Sequence, residues 1–359
     1  DGLTGEMRAI LTRERVRLAQ IPADGQLVVI SSAIPPDHPA CVVALAARIP
    51  VVRRGELLAE ITRGKKLIAI CGSHGKTTTA AMLIAALQQS NFPAGYILGG
   101  LFTDDTPPAR IGSNDWVVAE IDESDGTIEL FSPHLTLAVN LDWDHPDRYS
   151  RFADFQAAFA GLFSRTRATV LLSDACPASA RWLAGSGGRP GETLTFGRSG
   201  DFRGEIVREK AGEMSLRLAG RFAPTEVMVA AGGEFNAANA TAALAVAQLA
   251  GAAISRVALA NFPGVRRRQA LLHATSDLTV LEDYAHHPAE IRALLGSLRR
   301  RVTAGGRLLV AFQPHRFSRT AQFKVEFAAA LAGADSVHLL DVYPAGEAPI
   351  AGGTSADIY

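Results

Sequence analysis

Short apolar runs alternate with helical segments and polar turns along most of the chain, and this pattern predicts an α/β fold. The clearest strands are β-branched runs that stop at polar residues or glycine, at 66–71, 116–121, 135–140 and 169–172. Apolar residues follow with helical spacing at 76–89 and 152–163. Because a strand, a crossover helix and a second strand form the unit of a parallel sheet, we expect a mostly parallel sheet.

The rhythm changes between residues 194 and 228, where short runs are separated by glycines without an intervening helix. These runs lie at 195–197, 205–208, 214–218 and 226–230. Short strands with turn residues between them are typical of antiparallel pairing. We therefore expect a small antiparallel sheet beside the parallel one, closed by a helix at 236–249.

The length of 359 residues corresponds to two or three domains at ~100–200 residues each. A Pro/Gly break with three successive arginines at 261–268 is a plausible hinge, and βαβ units resume after it, with a helix expected at 288–299. We predict domains at 1–64, 65–263 and 264–359. The first and third show too few strands for a complete doubly wound sheet, so we expect both to be partial Rossmann-like domains.

Charge and cysteine content narrow the class of function. Lys and Arg number 36 and so do Asp and Glu, which removes the electrostatic case for a general nucleic-acid or anionic-membrane binder. No apolar run reaches the ~20 residues that a membrane helix needs. The 3 cysteines are too few and too scattered for a disulfide framework or a zinc site, so we expect reduced thiols and a cytoplasmic location.

A glycine-rich turn lies between the strand at 66–71 and the helix at 76–89. Its backbone N–H groups and the helix N-terminus are suited to phosphate. The candidate phosphate ligands are Gly72, Ser73, His74, Gly75, Lys76, Thr77 and Thr78. Lys76 is expected to reach the β- and γ-phosphates and Thr77 to bind Mg²⁺. The alternative is a plain glycine turn, because the two glycines are closer together than in the usual phosphate loop.

Acidic and histidine residues follow the next two strands. The sequence EIDESD occupies 120–125, and NLDWDH occupies 140–145. Ligands collect at the carboxyl ends of parallel strands, so Glu123 and His145 are expected to meet beside the phosphate loop and hold Mg²⁺. A solvated acidic loop and a structural histidine are the alternatives.

Three further segments begin helices or follow strands. Asn236 and Asn239 either cap a helix or offer the donor–acceptor pair that an adenine edge requires. DYAHHP at 283–288 and QPHRFSR at 313–319 each follow a strand. Arg316 and Arg319 lie three apart at a predicted helix start, so we expect both guanidinium groups to face one side and to clamp a carboxylate or phosphate. Surface pairing with distant carboxylates is the alternative for these arginines.

Taken together, the motifs resemble the ATP-dependent Mur ligases of peptidoglycan synthesis. Nine motifs occur in the family order: SSAI, GSHGKTTT, EIDESD, NLDWDHPDRY, FNAAN, FPGVRRR, LEDYAHHPAE, AFQPHRFSRT and DVYPAGEAPI. The last three favour the branch that adds L-alanine. The resemblance implies a three-domain architecture in which a central P-loop ATPase-like domain lies between a UDP-substrate domain and an amino-acid domain.

The resemblance also implies an activity and a set of roles. ATP and Mg²⁺ would activate the lactyl carboxylate of UDP-N-acetylmuramate as an acyl-phosphate, and L-alanine would attack it. Thr77, Glu123 and His145 would bind the metal. The nucleotide would contact the phosphate loop together with Asn236, Asn239, Arg268, Asp283 and Tyr284. The catalytic set would be Lys76, His286, Arg316 and Arg319, and the substrate contacts would be Ser31, Ser32, His145, His286, Arg316 and Arg319.

The chain departs from the family pattern in a few places. Phe235 stands where the family usually has His, and Ala285 where it usually has Gly. The glycine-rich UDP-binding turn that opens the family's first domain is missing, and so are the last strands of the third, so we expect a chain truncated at both ends. A murein tripeptide recycling ligase and a nucleotide-binding fragment without ligase activity remain alternatives. EIDESD favours the alanine branch over the recycling one.

Overall fold

A computed structural model describes residues 25–31, 34–35, 37–146, 148–185, 191–210, 212–223 and 225–359. The chain divides into two compact units, Asp1–Ile61 and Thr62–Tyr359. The three domain ranges expected from the sequence are not tested by this division and stay predictions.

The first unit contains a small parallel α/β arrangement. Strand β1 (Val28–Ile30) pairs in parallel with β2 (Val51–Arg53), and helices α1 (Pro39–Ala46) and α2 (Arg54–Thr62) follow the two strands. Helix α1 begins at a proline, which suits the first helical position, and the His38 side chain accepts a hydrogen bond from the Ala40 N–H. Ser31 is exposed just beyond β1, whereas Ser32 lies outside the described residues.

The second unit is built on a ten-stranded sheet with the order β12-β11-β10-β9-β8-β7-β3-β6-β4-β5. Its strands are β3 (Lys66–Cys71), β4 (Gly95–Ile97), β5 (Ala109–Arg110), β6 (Trp116–Glu120), β7 (Leu135–Ala138), β8 (Thr169–Ser173), β9 (Glu192–Gly197), β10 (Phe202–Lys210), β11 (Glu213–Gly220) and β12 (Thr225–Val229). Along the sheet order from β10 to β4, every neighbouring pair of strands is parallel. Strand β5 pairs antiparallel with β4 at the edge. The predicted fold class is confirmed.

One part of the expected antiparallel sheet is wrong. The strand expected at 195–197 is the end of β9, which pairs in parallel with both β8 and β10. A helix that the sequence pattern did not reveal, α5 (Pro177–Gly185), lies between β8 and β9 and supplies the crossover that parallel pairing needs. In this part of the sheet, β11 pairs antiparallel with both β10 and β12.

Alanine-rich helices cover the centre of the sheet. Helices α3 (Lys76–Gln89) and α6 (Glu234–Leu249) share one buried core with Ile68 and Ile70 of β3. Leu67 and Ala69, which point to the opposite face, are also buried, so β3 is covered on both sides. Helix α4 (Phe152–Arg165) buries a row of phenylalanines spaced four residues apart.

The last part of the second unit carries two small sheets. Strands β13 (Ala270–Ala274) and β14 (Thr279–Glu282) pair antiparallel, and β15 (Leu309–Phe312) pairs in parallel with β16 (Ser336–Leu339). Helices α7 (Pro288–Arg299) and α8 (Phe317–Leu331) contribute to one core with β15. Among the described helices, none combines the length and apolar character required to cross a membrane.

Candidate active site

The glycine-rich turn after β3 is shaped by its contact with the segment that follows β7. Gly72 has φ 119° and Gly75 has φ 79°, in the region that favours glycine. A Cβ atom on Gly72 would lie 2.6 Å from the Asn140 carbonyl oxygen. The Asn140 side chain accepts from the His74 N–H and donates to the His74 carbonyl, each at 2.9 Å. Asn140 therefore fixes the path of the turn.

Ser73 adds a second attachment to the same segment. Its hydroxyl donates to the Asp142 carbonyl at 2.5 Å and accepts from the Asp142 N–H at 3.0 Å. The segment after β7 thus holds the turn from one side. At the start of α3, which follows the turn, no side chain caps the free backbone N–H groups. Such an arrangement is suited to binding phosphate.

Lys76 opens α3 and lies against a buried carboxylate. Its ammonium donates to the Gly72 carbonyl at 2.5 Å and lies 3.2 Å from Glu123 Oε2. Burial alone would lower the pKa of Lys76, but the charges of Glu123 and Asp122 outweigh burial and raise the pKa above its ordinary value. Lys76 is therefore a fixed cation, and the Glu123 carboxylate beside it is fully buried.

Glu123 is also part of a cluster of possible metal ligands. Asp122, Glu123 and His145 each offer one ligand atom, and these atoms all lie within 4.8 Å of one another. His145 Nε2 lies 3.7 Å from Glu123 Oε1, and its buried Nδ1 has no hydrogen-bond partner. Thr77 donates its hydroxyl hydrogen to Glu120 at 2.8 Å. The expected Glu123 and His145 come together, whereas Thr77 is bonded to a different carboxylate.

The oxygen atoms among these possible metal ligands suit a hard cation. Carboxylate and hydroxyl oxygens are the ligands that Mg²⁺ prefers, and Asp122, Glu123 and Thr77 supply them. Asp122 was not selected from the sequence, although it belongs to the EIDESD motif. Burial would raise the pKa of Asp122, but Lys76 and the Ser124 hydrogen bonds lower it below its ordinary value, so this residue is a carboxylate.

A cavity of about 600 Å³ opens beside the phosphate loop. Several residues expected to bind the nucleotide line it, namely His74, Gly75, Thr78, Asn236, Asn239, Arg268 and Asp283. Ligand pockets are commonly ~300–1,000 Å³. Residues from both sides of the 261–268 break thus face one space. Tyr284 contacts this group indirectly, because its ring lies 5.1 Å from the Arg268 guanidinium.

The two asparagines do not cap α6. The cap position is Gly233, and Asn236 and Asn239 are both buried within the first two turns of the helix. Asn236 donates to the Gly232 carbonyl at 2.9 Å, and Asn239 donates to Asn236 Oδ1 at 3.5 Å. The cap interpretation is therefore wrong.

Asp283 and His286 lie in the loop before α7. The Asp283 carboxylate accepts hydrogen bonds from the backbone N–H groups of Gln269 and Ala285, and burial raises its pKa. Burial lowers the pKa of His286, so its imidazole is neutral at pH 7. Glu290, which sequence reasoning missed, accepts from the backbone N–H groups of His286 and His287 at 3.0 and 3.2 Å.

The arrangement of the two arginines differs from the expected clamp. Arg316 is the cap residue of α8 with φ 72°, outside the helix, and lies 3.6 Å from Glu347. Arg319 is buried and bonded to Asp144 through Nε at 3.0 Å and Nη2 at 2.9 Å. The expectation that both face one side is wrong, because the i, i+3 rule requires both residues to be helical. Asp144 was not predicted from the sequence.

Three family models match consecutive parts of the chain. They are described as the Mur ligase family catalytic domain at 7–66, the Mur ligase middle domain at 70–247 and the Mur ligase glutamate ligase domain at 266–358.

Relatives and solved structures agree with these matches. The UDP-N-acetylmuramate–L-alanine ligase of Mycolicibacterium smegmatis is 39% identical over 344 residues, which cover 92% of this chain and 71% of the relative. The crystal structure of a UDP-N-acetylmuramate–alanine ligase from Thermotoga maritima matches with a TM-score of 0.77 and 27% identity, over 95% of this chain and 78% of that one. A murein peptide ligase from Psychrobacter arcticus has a similar fold, with a TM-score of 0.66 and 20% identity over 92% and 84% of the two chains.

Proposed function

The chain belongs to the Mur ligase family, and from that premise we propose that it joins L-alanine to the lactyl carboxylate of UDP-N-acetylmuramate with ATP. The product is a peptidoglycan precursor. The observation that carries the chemistry is the convergence of Lys76, the Glu123–His145 cluster and the 600 Å³ cavity at one edge of the sheet. The choice of L-alanine rests on the relatives that carry this name and match most of the chain.

The phosphate loop and Lys76 bind the phosphates of ATP in this proposal. The N–H groups at the start of α3 donate hydrogen bonds to the phosphate oxygens, and the Lys76 ammonium stabilises charge on the group being transferred. Thr77, Glu123 and His145, with Asp122 added by the structure, are the residues that would hold Mg²⁺. When bound, Mg²⁺ neutralises negative charge on the phosphates. The Lys76–Glu123 contact keeps the ammonium charged and in place.

The cavity residues hold the rest of the nucleotide. Asn236 and Asn239 read the adenine edge, and Arg268 contacts phosphate from the hinge. Asp283 holds the hinge turn through its two backbone hydrogen bonds, and the Tyr284 ring packs under Arg268. Each of these roles needs a side chain that is fixed before the nucleotide arrives, and these contacts fix them.

The remaining roles concern the substrate. His286, Arg316 and Arg319 act near the amino acid and the acyl-phosphate, and Ser31 and Ser32 contact the UDP part. The neutral His286 imidazole can accept the proton that the L-alanine ammonium must lose before it attacks. Arg319 acts in part through Asp144, because the Asp144 carboxylate that it binds also lies 3.8 Å from His145 Nε2. We place the enzyme in the cytoplasm, because its three cysteines are unpaired and buried.

A substrate panel tests this proposal. The protein is incubated with ATP, Mg²⁺ and UDP-N-acetylmuramate, with L-alanine or a murein tripeptide as the acceptor, and phosphate release is measured. We expect release that depends on L-alanine and that is lost in Lys76→Ala. Release with the tripeptide alone would identify a recycling ligase, and nucleotide binding without release for either acceptor would identify a binding fragment.

A further inference from the structure

The His74 imidazole lies between two carboxylates from different parts of the second unit. Nε2 is 3.3 Å from Asp142 Oδ2, and Nδ1 is 3.6 Å from Glu290 Oε1. The side chains of His74 and Glu290 are 10% and 12% exposed. The Asn140 side chain holds the backbone N–H and carbonyl of His74, and the surrounding protein buries its ring, so the ring has little freedom to turn away. His74 therefore links the phosphate loop to α7 through charge.

Glu290 also contacts the loop that carries His286. One Glu290 oxygen accepts the backbone N–H groups of His286 and His287, and it lies 3.4 Å from the His286 ring. His287 in turn caps α7 and completes a capping box with Glu290. The same carboxyl group thus faces the phosphate loop with one oxygen and fixes the start of α7 with the other.

We propose that His74 is a positioning residue that couples the phosphate loop to the N-terminus of α7 through Glu290, so that His286 takes its position only when the loop is in place. The catalytic consequence of this coupling rests on the proposed ligase function. The coupling itself does not, because it is a contact between His74 and Glu290 that any ligand of the phosphate loop can perturb.

The charges around His74 support the cationic form. Burial would lower its pKa, but Asp142 and Glu290 outweigh burial and raise the pKa to about 9. The third group that faces His74 is the His287 ring, whose centre is 4.5 Å away. Burial and the charge of His74 lower the pKa of His287 to about 4, so two cations do not face each other at neutral pH.

A double-mutant cycle on the full chain tests the catalytic part. His74→Gln and Glu290→Gln remove each charge and keep a hydrogen-bonding side chain. We expect each single variant to lower kcat for ligation by about 10- to 150-fold, the range of a charge-assisted contact, with KM for ATP close to the wild-type value. The double variant should lose no more than the worse single variant. Independent, multiplying losses would overturn the proposal.

A second measurement works even if the protein has no ligase activity. Hydrogen exchange of the His286 and His287 amides is followed with and without a non-hydrolysable ATP analogue. We expect the analogue to slow exchange in the wild-type protein and to have no effect on these amides in His74→Gln. Equal protection in both proteins would refute the coupling, whereas absent phosphate release with intact coupling would refute only the ligase function.

Control variants separate coupling from general loss of charge. Asp154→Asn removes a carboxylate from the first turn of α4, where it is paired with the exposed Arg151. His134→Gln removes an imidazole that packs against Trp116, at the opposite end of β7 from Asn140. We expect both controls to keep wild-type kcat and wild-type protection of the His286 amide. Loss of kcat in these controls would show that the readout reports stability, and the proposal would fail.

Discussion

The ion pair between Asp144 and Arg319 joins the segment after β7 to helix α8, and it provides the sharpest test of the structure. Arg319 Nε and Nη2 lie 3.0 and 2.9 Å from Asp144 Oδ1, and Nη2 also lies 3.2 Å from Oδ2. The two side chains are 3% and 2% exposed. Burial would raise the pKa of Asp144, but Arg319 and the nearby histidines hold it well below its usual range.

Removing one partner leaves the other charge buried. Breaking a buried pair in this way destabilises a protein by about 3–5 kcal/mol. At about 2–4 °C per kcal/mol, Asp144→Ala should lower the melting temperature by on the order of 10 °C. Because the pKa of Asp144 is lowered in the folded state, its stabilisation is fully present above the ordinary value of 3.8 and is lost as the pH falls below that value.

Calorimetry of Asp144→Ala, Arg319→Met and the double variant measures the pair. The double variant should be more stable than the sum of the single effects by about 0.5–3 kcal/mol or more, since no uncompensated charge remains. Asp154→Ala and Arg151→Met form the matched control, because that pair is shorter, at 2.7 Å, but 41% and 75% exposed. If Asp144→Ala shifts the melting temperature no more than Asp154→Ala does, the buried pair does not exist in solution.

Three further predictions concern the phosphate loop and its neighbours. Gly72→Ala should weaken ATP binding in a calorimetric titration and lower stability by ~1–3 kcal/mol, because the new Cβ meets the Asn140 carbonyl at a positive φ. In a melting series from pH 6 to 10, the His74 contribution should be complete below 6.5 and vanish as the pH rises through about 9, and His74→Gln should lack this loss. Tyr149→Phe removes a 2.8 Å hydrogen bond to the Glu123 carbonyl, so we expect ~0.5–1.5 kcal/mol less stability and weaker Mg²⁺ dependence of activity.

Elements with strong local signals could be predicted from the sequence with accurate bounds. The helix expected at 76–89 is α3 (Lys76–Gln89), because two glycines force a turn immediately before an uninterrupted helical segment. The helix expected at 288–299 is α7 (Pro288–Arg299), where proline at the first position and a capping box define the start. In both cases the information lies within a few residues of the boundary.

Elements that depend on distant neighbours could not be predicted in this way. Strands β4 and β5 have three and two residues, and their place in the sheet comes from pairing with β6 and with each other. Helix α5 was missed, and with it the parallel direction of β9. A short strand's direction is set by its connection, so one missed helix reverses the expected pairing.

In the candidate site, too, some features could be predicted from the sequence and others depend on distant neighbours. The phosphate loop and the acids after β6 and β7 could be placed at one edge, because parallel strands bring their carboxyl ends together. The sequence could not predict which acidic side chain pairs with which basic one, since EIDESD and NLDWDH offer several carboxylates of equal chemistry. Arg319 pairs with Asp144, 175 residues away in the sequence, and Glu290 contacts His74 from helix α7, beyond the Pro/Gly break at 261–268. Burial decides these pairings, because a charge removed from water requires its partner within contact distance. Asp144 and Glu290 therefore become visible as candidate functional residues only when the packing of α7 and α8 against the loop edge is known.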